Sequence, residues 1–190
     1  MHGRGGFCAW FTGLPCSGKT TIARALTAAL EARGITVTLL DGDAVRPILS
    51  AGLQFSREDR HINLMRIGFV AKEVVRHGGA AICATVSPYR ADRDAIRASF
   101  AALSFFEIYV NTPLSVCEAR DVKGMYARAR RGEILHFTGV DDPYEPPECP
   151  DIVCETLDSS PEDCVHTIWR HLQTQEVRLS ADRFAPASLK

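Results

Sequence analysis

The chain has 190 residues, 46% of them apolar and 24% charged, and its formal net charge is −1. Such a length and composition are typical of one globular domain, and a charge near zero argues against a general nucleic-acid-binding protein. The sequence contains no apolar run of about 18 residues and no signal-peptide pattern, so neither a membrane span nor secretion is expected.

Short apolar runs alternate with segments of helical periodicity along the chain. The predicted strands are 7–12, 35–40, 80–86, 105–110 and 151–156, and the predicted helices are 20–34, 56–79, 90–103, 112–121 and 160–175. Ser56 and Thr112 are the expected N-caps of the second and fourth helices. The alternation predicts an α/β domain with a central parallel sheet covered on both faces. Ligands of such a sheet bind beyond the carboxyl ends of its strands.

The segment FTGLPCSGKTT, residues 11–21, follows the first predicted strand and opens the first predicted helix. Its Gly13, Gly18, Lys19 and Thr20 satisfy the phosphate-loop pattern GxxxxGK[ST]. In such a loop, backbone N–H groups surround a β-phosphate, the lysine reaches the β- and γ-oxygens, and the hydroxyl faces Mg²⁺. A nucleoside triphosphate is therefore expected on Gly13, Leu14, Pro15, Cys16, Ser17, Gly18, Lys19 and Thr20. A GTPase is disfavoured because the chain has no NKxD-like base-reading motif.

Seven cysteines, none of them in a CxxC pair, predict reduced thiols in a cytoplasmic protein and argue against a zinc site. Cys16 stands inside the phosphate loop, just before a helix N-terminus and close to Lys19. Both neighbours favour a thiolate, which predicts a thiol that is reactive in the empty loop and covered by bound nucleotide. The alternative is that Cys16 is a small, inert filler residue.

Two carboxylates, Asp41 and Asp43, follow the second predicted strand in the segment LLDGDAVR. One can hold a metal-bound water while the other accepts a hydrogen bond from an attacking hydroxyl. Arg46 lies about one helical turn beyond Asp43, so the two side chains can face one pocket. The alternative is an Asp-Gly turn with a capping carboxylate.

Arg60, Asn63 and Ile67 share one face of the second predicted helix, and Phe55 precedes its cap. An arginine and an asparagine on one face suit an anion and a base edge, and Phe55 can stack on a base. The alternative is a solvated face, with Phe55 acting as a hydrophobic staple.

Two further segments carry candidate site residues: one follows the third predicted strand, and the other is the polar insert. Ser87 and Pro88 bend the chain after the third strand, where an acceptor can lie, although Ser87 can also be a simple turn hydroxyl. Residues 121–147 are predicted to form a mobile lid that carries Lys123 and arginines that meet phosphate on closure; the arginines are Arg128, Arg130 and Arg131. The alternative is a solvated charged loop.

Six segments then occur in order: WFTGLPCSGKTTIA, LLDGDAVR, FSREDRHIN, SPYRADRD, EIYVNTPLSVCEARDVKGMYARARRGEI and FTGVDDPYEPP. Over roughly residues 7–172 the chain resembles the adenylyl-sulfate kinase (APS kinase) family. The resemblance implies a P-loop, nucleoside-monophosphate-kinase-like fold of three layers with a mobile lid. It also implies Mg²⁺-dependent transfer of the ATP γ-phosphoryl group to the 3′-hydroxyl of adenosine 5′-phosphosulfate (APS), giving PAPS and ADP. A homodimer, and a separate ATP sulfurylase as functional partner, are implied as well.

The resemblance also assigns residue roles. It makes Asp43 the residue that orients or deprotonates the acceptor hydroxyl and Lys123 the lid lysine near the transferring phosphates. The phosphate-loop pattern itself makes Thr20 the metal residue. Ser87 matches a serine that the family labels as a phosphoserine intermediate; nothing nearby in sequence would activate it, so we interpret it as a positioning residue. The implied APS-binding residues are Asp43, Arg46, Phe55, Arg60, Asn63, Lys123 and Phe137, and the implied catalytic residues are Asp43, Lys19, Lys123 and Ser87.

Two other functions stay open at this point: a P-loop kinase for another small acceptor, such as a nucleoside monophosphate or a sugar acid, and a non-catalytic nucleotide-binding regulatory domain. The paired DGDxVR and FSxxDRxxN motifs argue against the first, and the complete set of site residues argues against the second. We expect one domain over residues 1–177, with the lid at about 121–147, followed by a C-terminal tail at 178–190.

Overall fold

The computed structural model describes residues 5–182, and side chains as far as Thr174. Within this range the chain forms five strands and seven helices. The strands are β1 (Phe7–Thr12), β2 (Val37–Asp41), β3 (Ala80–Ala84), β4 (Ser104–Asn111) and β5 (Ile152–Glu155). The helices are α1 (Lys19–Glu31), α2 (Gly42–Leu49), α3 (Arg57–Arg76), α4 (Arg90–Phe100), α5 (Leu114–Arg120), α6 (Met125–Arg130) and α7 (Pro161–Asp182).

The five strands form one parallel sheet in the order β2-β3-β1-β4-β5. β1 lies at the centre, with Trp10 opposite Cys83 of β3 on one side and Glu107 of β4 on the other. All six residues of β1 are buried, which explains why its sequence is a continuous apolar run. The predicted α/β fold with a parallel central sheet is therefore confirmed.

Alternate residues of β1 serve the two faces of the sheet. Phe7, Ala9 and Phe11 pack in the core formed with α1 and α7, whereas Cys8 and Trp10 pack in the core formed with α3 and α4. This period of two is the geometry of a strand covered on both sides. Because these strands are parallel, the carboxyl ends of β1, β2 and β3 open at the same edge of the three-layer domain. Among the described residues, no helix combines the length and the apolar character needed to cross a membrane.

The structure corrects the prediction at the fourth helix. α5 begins at Leu114 with Pro113 in the N-cap position, and the Thr112 hydroxyl instead donates to the carbonyl of Ser17, 2.9 Å away. The predicted Thr112 cap is therefore wrong, because this side chain braces the phosphate loop. The expected cap of α3 is confirmed, since Ser56 Oγ accepts the N–H of Asp59 at 3.1 Å.

The sequence pattern also did not predict the two short helices α2 and α6 or the position at which α7 ends. α2 has eight residues and contains Pro47, and α6 has six residues inside the polar insert, so neither shows a long periodic pattern. α7 continues to Asp182, past the predicted helix end at 175 and into the segment expected as a tail. The remainder of that tail, 183–190, lies outside the described residues.

Candidate active site

One large cavity of about 1090 Å³ lies at the carboxyl edge of the sheet. Its walls come from the phosphate loop, the turn from β2 into α2, the start of α3, the end of β3, and the insert between β4 and β5. Every residue expected to bind APS lines it, as do Ser87 and the loop residues Pro15, Cys16, Ser17, Gly18, Lys19 and Thr20. Gly13 and Leu14 lie behind this surface and contribute their carbonyl oxygens to Lys19.

The phosphate loop owes its shape to its glycines. Gly18 has a φ of 105°, a left-handed conformation that glycine adopts without a steric penalty. A side chain on Gly13 would place its Cβ 2.7 Å from the carbonyl oxygen of Val110, so the loop also needs glycine for space. Cys16 adopts a φ of 60° despite its side chain and is half-buried against the small cluster around Cys117.

Lys19 is buried, and its side chain points back into the phosphate loop. Its Nζ donates to the carbonyl oxygens of Gly13 (2.9 Å) and Leu14 (2.6 Å). Burial lowers the pKa of Lys19 to about 8, against the opposing effect of nearby acidic groups that include Asp43 and Asp41. The lysine is thus held at the point where the β- and γ-phosphates of a nucleotide would replace the carbonyl contacts.

The two carboxylates after β2 have different environments. Asp41 is buried; its Oδ1 caps α2 by accepting the N–H of Asp43 at 3.0 Å, while its Oδ2 has no hydrogen-bond partner. The side chain of Asp43 is 73% exposed and projects into the cavity. The capping alternative is therefore correct for one oxygen of Asp41, while Asp43 remains accessible to a ligand.

Lys123 connects the insert to the carboxylate of Asp43. Its Nζ lies 2.5 Å from Asp43 Oδ2, although 80 residues separate the two in sequence. Both side chains are more than half exposed, so solvent screens the pair and its contribution to stability is small. The contact shows that the insert can bring a cation to the β2–α2 corner.

Arginines and aromatic rings form the far wall of the cavity. The guanidinium of Arg46 lies 4.1 Å from the centre of the Phe55 ring and donates to the carbonyl of Gln54 at 3.1 Å. Arg60 donates to Thr138 Oγ1 at 3.2 Å and to the carbonyl of His136 at 2.5 Å, so it holds the insert against α3. Asn63 Oδ1 accepts the hydroxyl of Ser50.

Phe55 and Phe137 differ in how they are held. Phe55 is 41% exposed, which rules out the buried-staple alternative, whereas Phe137 is buried edge-to-face against Tyr126, with ring centres 5.0 Å apart.

The insert arginines Arg128, Arg130 and Arg131 lie away from the cavity in this structure. They pair with Glu133 and Glu118 on the protein surface.

Ser87 is buried at the end of β3 with a φ of 38°. Its Oγ accepts the indole N–H of Trp10 at 3.2 Å, and its carbonyl accepts from Arg93 Nη1 at 2.7 Å. The Ser87 hydroxyl is therefore held in place by its contact with Trp10 in the core. The simple turn alternative does not account for this buried contact.

Several lining residues were missed by sequence reasoning. Arg120 at the end of α5 donates to the carbonyl of Ser17 at 3.3 Å, and Thr156, Ser159 and Pro161 close the cavity beside the phosphate loop. Arg120 lies in the CEARD segment, and its position shortly after β4 was the one feature of the sequence that could have placed it near the cavity. The others lie in an unremarkable loop whose position depends on how β5 docks beside β4.

A divalent cation fits the cavity only together with a nucleotide. Among the residues whose side chains are described, no group of three His, Cys, Asp or Glu side chains is arranged to hold a metal by itself. The cavity is lined by Thr20 and by Asp41, whose Oδ2 is buried without a hydrogen-bond partner. This donor set suits a cation that brings phosphate and water ligands with it.

Comparisons with known proteins decide the family. The model of the adenylylsulphate kinase family matches residues 5–155. An adenylyl-sulfate kinase of Synechococcus is 49% identical over 172 residues, covering 90% of this chain and 97% of the relative. An adenylyl-sulfate kinase of Myxococcus xanthus is 48% identical over 184 residues, covering 96% and 97%.

The chain belongs to the adenylyl-sulfate kinase family. It is therefore an ATP-dependent kinase, and its reaction is the phosphorylation of APS to PAPS. A nucleotide-bound metal is typical of such kinases. The alternatives of another acceptor or a non-catalytic domain are not favoured.

Solved structures agree with this family. The APS kinase of Mycobacterium tuberculosis in complex with AMPPNP and APS superposes with a TM-score of 0.85 at 40% identity, covering 88% of this chain and 98% of that one. A gluconokinase from Sinorhizobium meliloti has a TM-score of 0.62 at 18% identity and shares the fold alone.

Proposed function

We propose that ATP binds in the phosphate loop and APS in the opposite half of the cavity, and that Asp43 and Lys123 act on the transfer between them. The observation that carries this proposal is the shared cavity of about 1090 Å³, which holds Lys19 at one end and the Asp43–Lys123 pair at the β2–α2 corner. That volume suits two nucleotides lying end to end. Parallel strands ending at one edge provide the rigid platform.

The ATP site consists of residues 13–20. The backbone N–H groups of this loop and the N-terminus of α1 surround the β-phosphate, and Lys19 exchanges its carbonyl contacts for phosphate oxygens. Mg²⁺, held by Thr20 and the ATP phosphates with Asp41 Oδ2 near its water ligands, would neutralise charge on the transferring group. Asp41 then serves two purposes, since its other oxygen caps α2.

APS is recognised by charge and by stacking. Arg46 and Arg60 suit the phosphosulfate, because guanidinium groups bind such oxyanions with paired hydrogen bonds. Asn63 suits a polar edge of the ligand. Phe55 and Phe137 would hold the adenine between an exposed ring and a buried one.

The chemical step needs an oriented hydroxyl. Asp43 accepts the proton of the 3′-hydroxyl as the bond from O3′ to the γ-phosphorus forms and the bond to the bridging oxygen of ADP breaks. Lys123 has to leave Asp43 before it can stabilise the γ-phosphate, so closure of residues 121–147 over ATP would free the base. Ser87 acts through position, because its buried hydroxyl is held by Trp10.

A panel of acceptors tests the proposal. With ATP and Mg²⁺ in a coupled ADP-release assay, APS should be turned over, while AMP and dCMP should react at least about 100-fold more slowly. The reason is that Arg46 and Arg60 hold the 5′-group as an anion, so the 5′-phosphate of a nucleoside monophosphate has no route to attack ATP. Comparable turnover of AMP would contradict the proposed orientation.

We further propose one kinase domain over residues 1–177, with a lid at about 121–147, that works as a homodimer in the cytoplasm. All seven cysteines are free thiols, which supports a reducing compartment. One solved relative, from Thiobacillus denitrificans, is a hexameric APS kinase, which supports self-association in the family. APS would be supplied by an ATP sulfurylase on a separate chain.

A further inference from the structure

Asp142 of the insert lies beside Arg60 and outside the cavity. Its side chain is 16% exposed, and its Oδ2 stands 4.0 Å from Nε of Arg60. Arg60 and Thr138 line the cavity, whereas Asp142 is not among the lining residues. The carboxylate is therefore a neighbour of a proposed APS-binding group and not itself part of the cavity wall.

Arg60 is held by three hydrogen bonds to the protein. Its Nε donates to the carbonyl of Phe55 at 2.8 Å, Nη1 to Thr138 Oγ1 at 3.2 Å and Nη2 to the carbonyl of His136 at 2.5 Å. A guanidinium has five N–H groups, and the other two donate to no group among the residues whose side chains are described. These two remain for an oxyanion, which binds in pairs of hydrogen bonds only when the guanidinium plane is correctly oriented.

Tyr89 fixes the position of the Asp142 carboxylate. Tyr89 is 4% exposed, and its hydroxyl donates to Oδ2 of Asp142 at 2.9 Å. The guanidinium of Arg57 covers the Tyr89 ring at 4.6 Å, and the backbone carbonyl of Asp142 accepts the N–H of Gly139 at 2.8 Å. The negative charge beside Arg60 is therefore held both by its own turn and by a buried side chain at the start of α4.

The charge of Asp142 matters because Arg60 is largely removed from water. Its side chain is 14% exposed. Burial lowers the pKa of Arg60, and the negative charge of Asp142 is the largest effect that opposes this. A partly buried cation that loses its counter-charge is destabilised where it stands and gains by turning towards solvent or another acceptor.

We propose that Asp142, oriented by the Tyr89 hydroxyl, is a positioning residue that holds Arg60 in the orientation that binds the phosphosulfate of APS. This inference rests on the APS-binding role proposed for Arg60 above. Asp142 also repels the anionic ligand, but Arg60 lines the cavity and lies nearer to it, so the attraction of the oriented guanidinium is the larger effect. Removal of the carboxylate charge should therefore weaken APS binding.

Steady-state kinetics of APS phosphorylation test the direction of this effect. Asp142→Asn keeps the size of the side chain and can still accept the Tyr89 hydroxyl, but it removes the charge; the KM for APS should rise about 10-fold while kcat and the KM for ATP change little. Tyr89→Phe keeps the charge and loses its anchor, so the KM for APS should rise about threefold.

Asp151→Asn is the matched control for Asp142→Asn. Asp151 pairs with Arg97 at 2.7 Å and does not line the cavity, so removing its charge breaks a comparable ion pair and should leave the KM for APS unchanged. An unchanged or lowered KM for APS in Asp142→Asn would overturn the proposal, because repulsion between Asp142 and the ligand would then equal or exceed the benefit of orienting Arg60.

A double-mutant cycle with Arg60→Ala shows whether Asp142 acts through Arg60. Arg60→Ala alone should raise the KM for APS at least about 30-fold. Adding Asp142→Asn to it should change that KM less than about twofold, because the group that Asp142 positions is already gone. A further 10-fold rise would show that Asp142 supports the insert independently of Arg60 and would refute the positioning role.

The same cycle separates this inference from the proposed function. An Arg60→Ala variant with the KM for APS of the wild type would contradict the proposed APS site itself. A raised KM in Arg60→Ala together with a normal KM in Asp142→Asn would contradict the positioning role alone and leave the APS site standing.

Discussion

Asp43 is the residue on which the proposed chemistry depends most. Asp43→Asn keeps the size of the side chain and removes its ability to accept a proton. We expect kcat to fall by about 100-fold or more while the KM for ATP changes little. Steady-state kinetics check this, with Asp94→Asn, an exposed aspartate on α4, as the matched control. Wild-type turnover of Asp43→Asn would remove this residue from the chemistry.

Lys19 predicts a pH dependence of ATP binding. Burial lowers the pKa of Lys19 to about 8, and the phosphates bind only its charged form. Below that pH the lysine is already protonated; above it, binding has to take up a proton, so affinity falls as pH rises. The KM for ATP should therefore increase about tenfold between pH 7 and pH 9.

The KM for APS provides an internal control for this experiment. APS binding is proposed to depend on guanidinium groups, which as a class do not deprotonate between pH 7 and pH 9, so acceptor binding should change much less. A KM for ATP that stays constant from pH 7 to pH 9 would show that Lys19 does not titrate as described.

Cys16 predicts a ligand-dependent reactivity. Its half-buried thiol lines the cavity beside Lys19, and any added bulk there would collide with a bound phosphate. Thiol reagents should inactivate the enzyme, Mg-ATP should slow the inactivation, and Cys16→Ala should be active and resistant. Inactivation rates with and without Mg-ATP check this; equal rates in wild type and Cys16→Ala would assign the effect to another residue.

At the scale of elements, the insert is tied to the sheet by one buried arginine. Arg93 on α4 is 2% exposed and donates to three segments at once: Glu107 Oε1 on β4 (2.8 Å), the Ser87 carbonyl (2.7 Å) and the Glu145 carbonyl (2.6 Å). It therefore couples the acceptor wall of the cavity to the base of the proposed lid. A planar guanidinium can serve three directions, whereas an ammonium cannot hold the same geometry.

Arg93→Lys tests this coupling. We expect the KM for APS to rise about tenfold and unfolding to become about 1–3 kcal/mol easier, with the KM for ATP little changed. Arg97→Lys on the same helix is the control, because Arg97 pairs with Asp151 and Glu107 without contacting the cavity wall. Equal effects of the two variants on the KM for APS would leave Arg93 with a structural role only.

Some parts of the fold and of the site could be predicted from the sequence, and others could not. The phosphate loop was predictable because residues 13–20 are contiguous and stand between a strand and a helix. The contact of Asp43 with Lys123 was not, since it joins positions 80 residues apart and depends on how the insert folds. Arg93 was missed because nothing in the sequence distinguishes a buried, three-partner arginine from those on the surface. Short helices such as α6 give too few turns for a periodic pattern.

At the scale of the whole molecule, the parallel sheet brings every proposed group to one edge. The phosphate loop and the Asp43–Lys123 pair line one cavity, and a γ-phosphoryl group held by the first can be transferred to a hydroxyl held by the second. We propose that the acceptor atom is the 3′-oxygen of APS.

Transfer of label from [γ-³²P]ATP to APS and to its 3′-deoxy analogue tests that claim most directly. We expect labelled PAPS from APS and no labelled product from the analogue. The analogue should inhibit competitively, because it keeps every group that the arginines and aromatic rings bind. Label appearing on the 3′-deoxy analogue, or no transfer to APS, would contradict it.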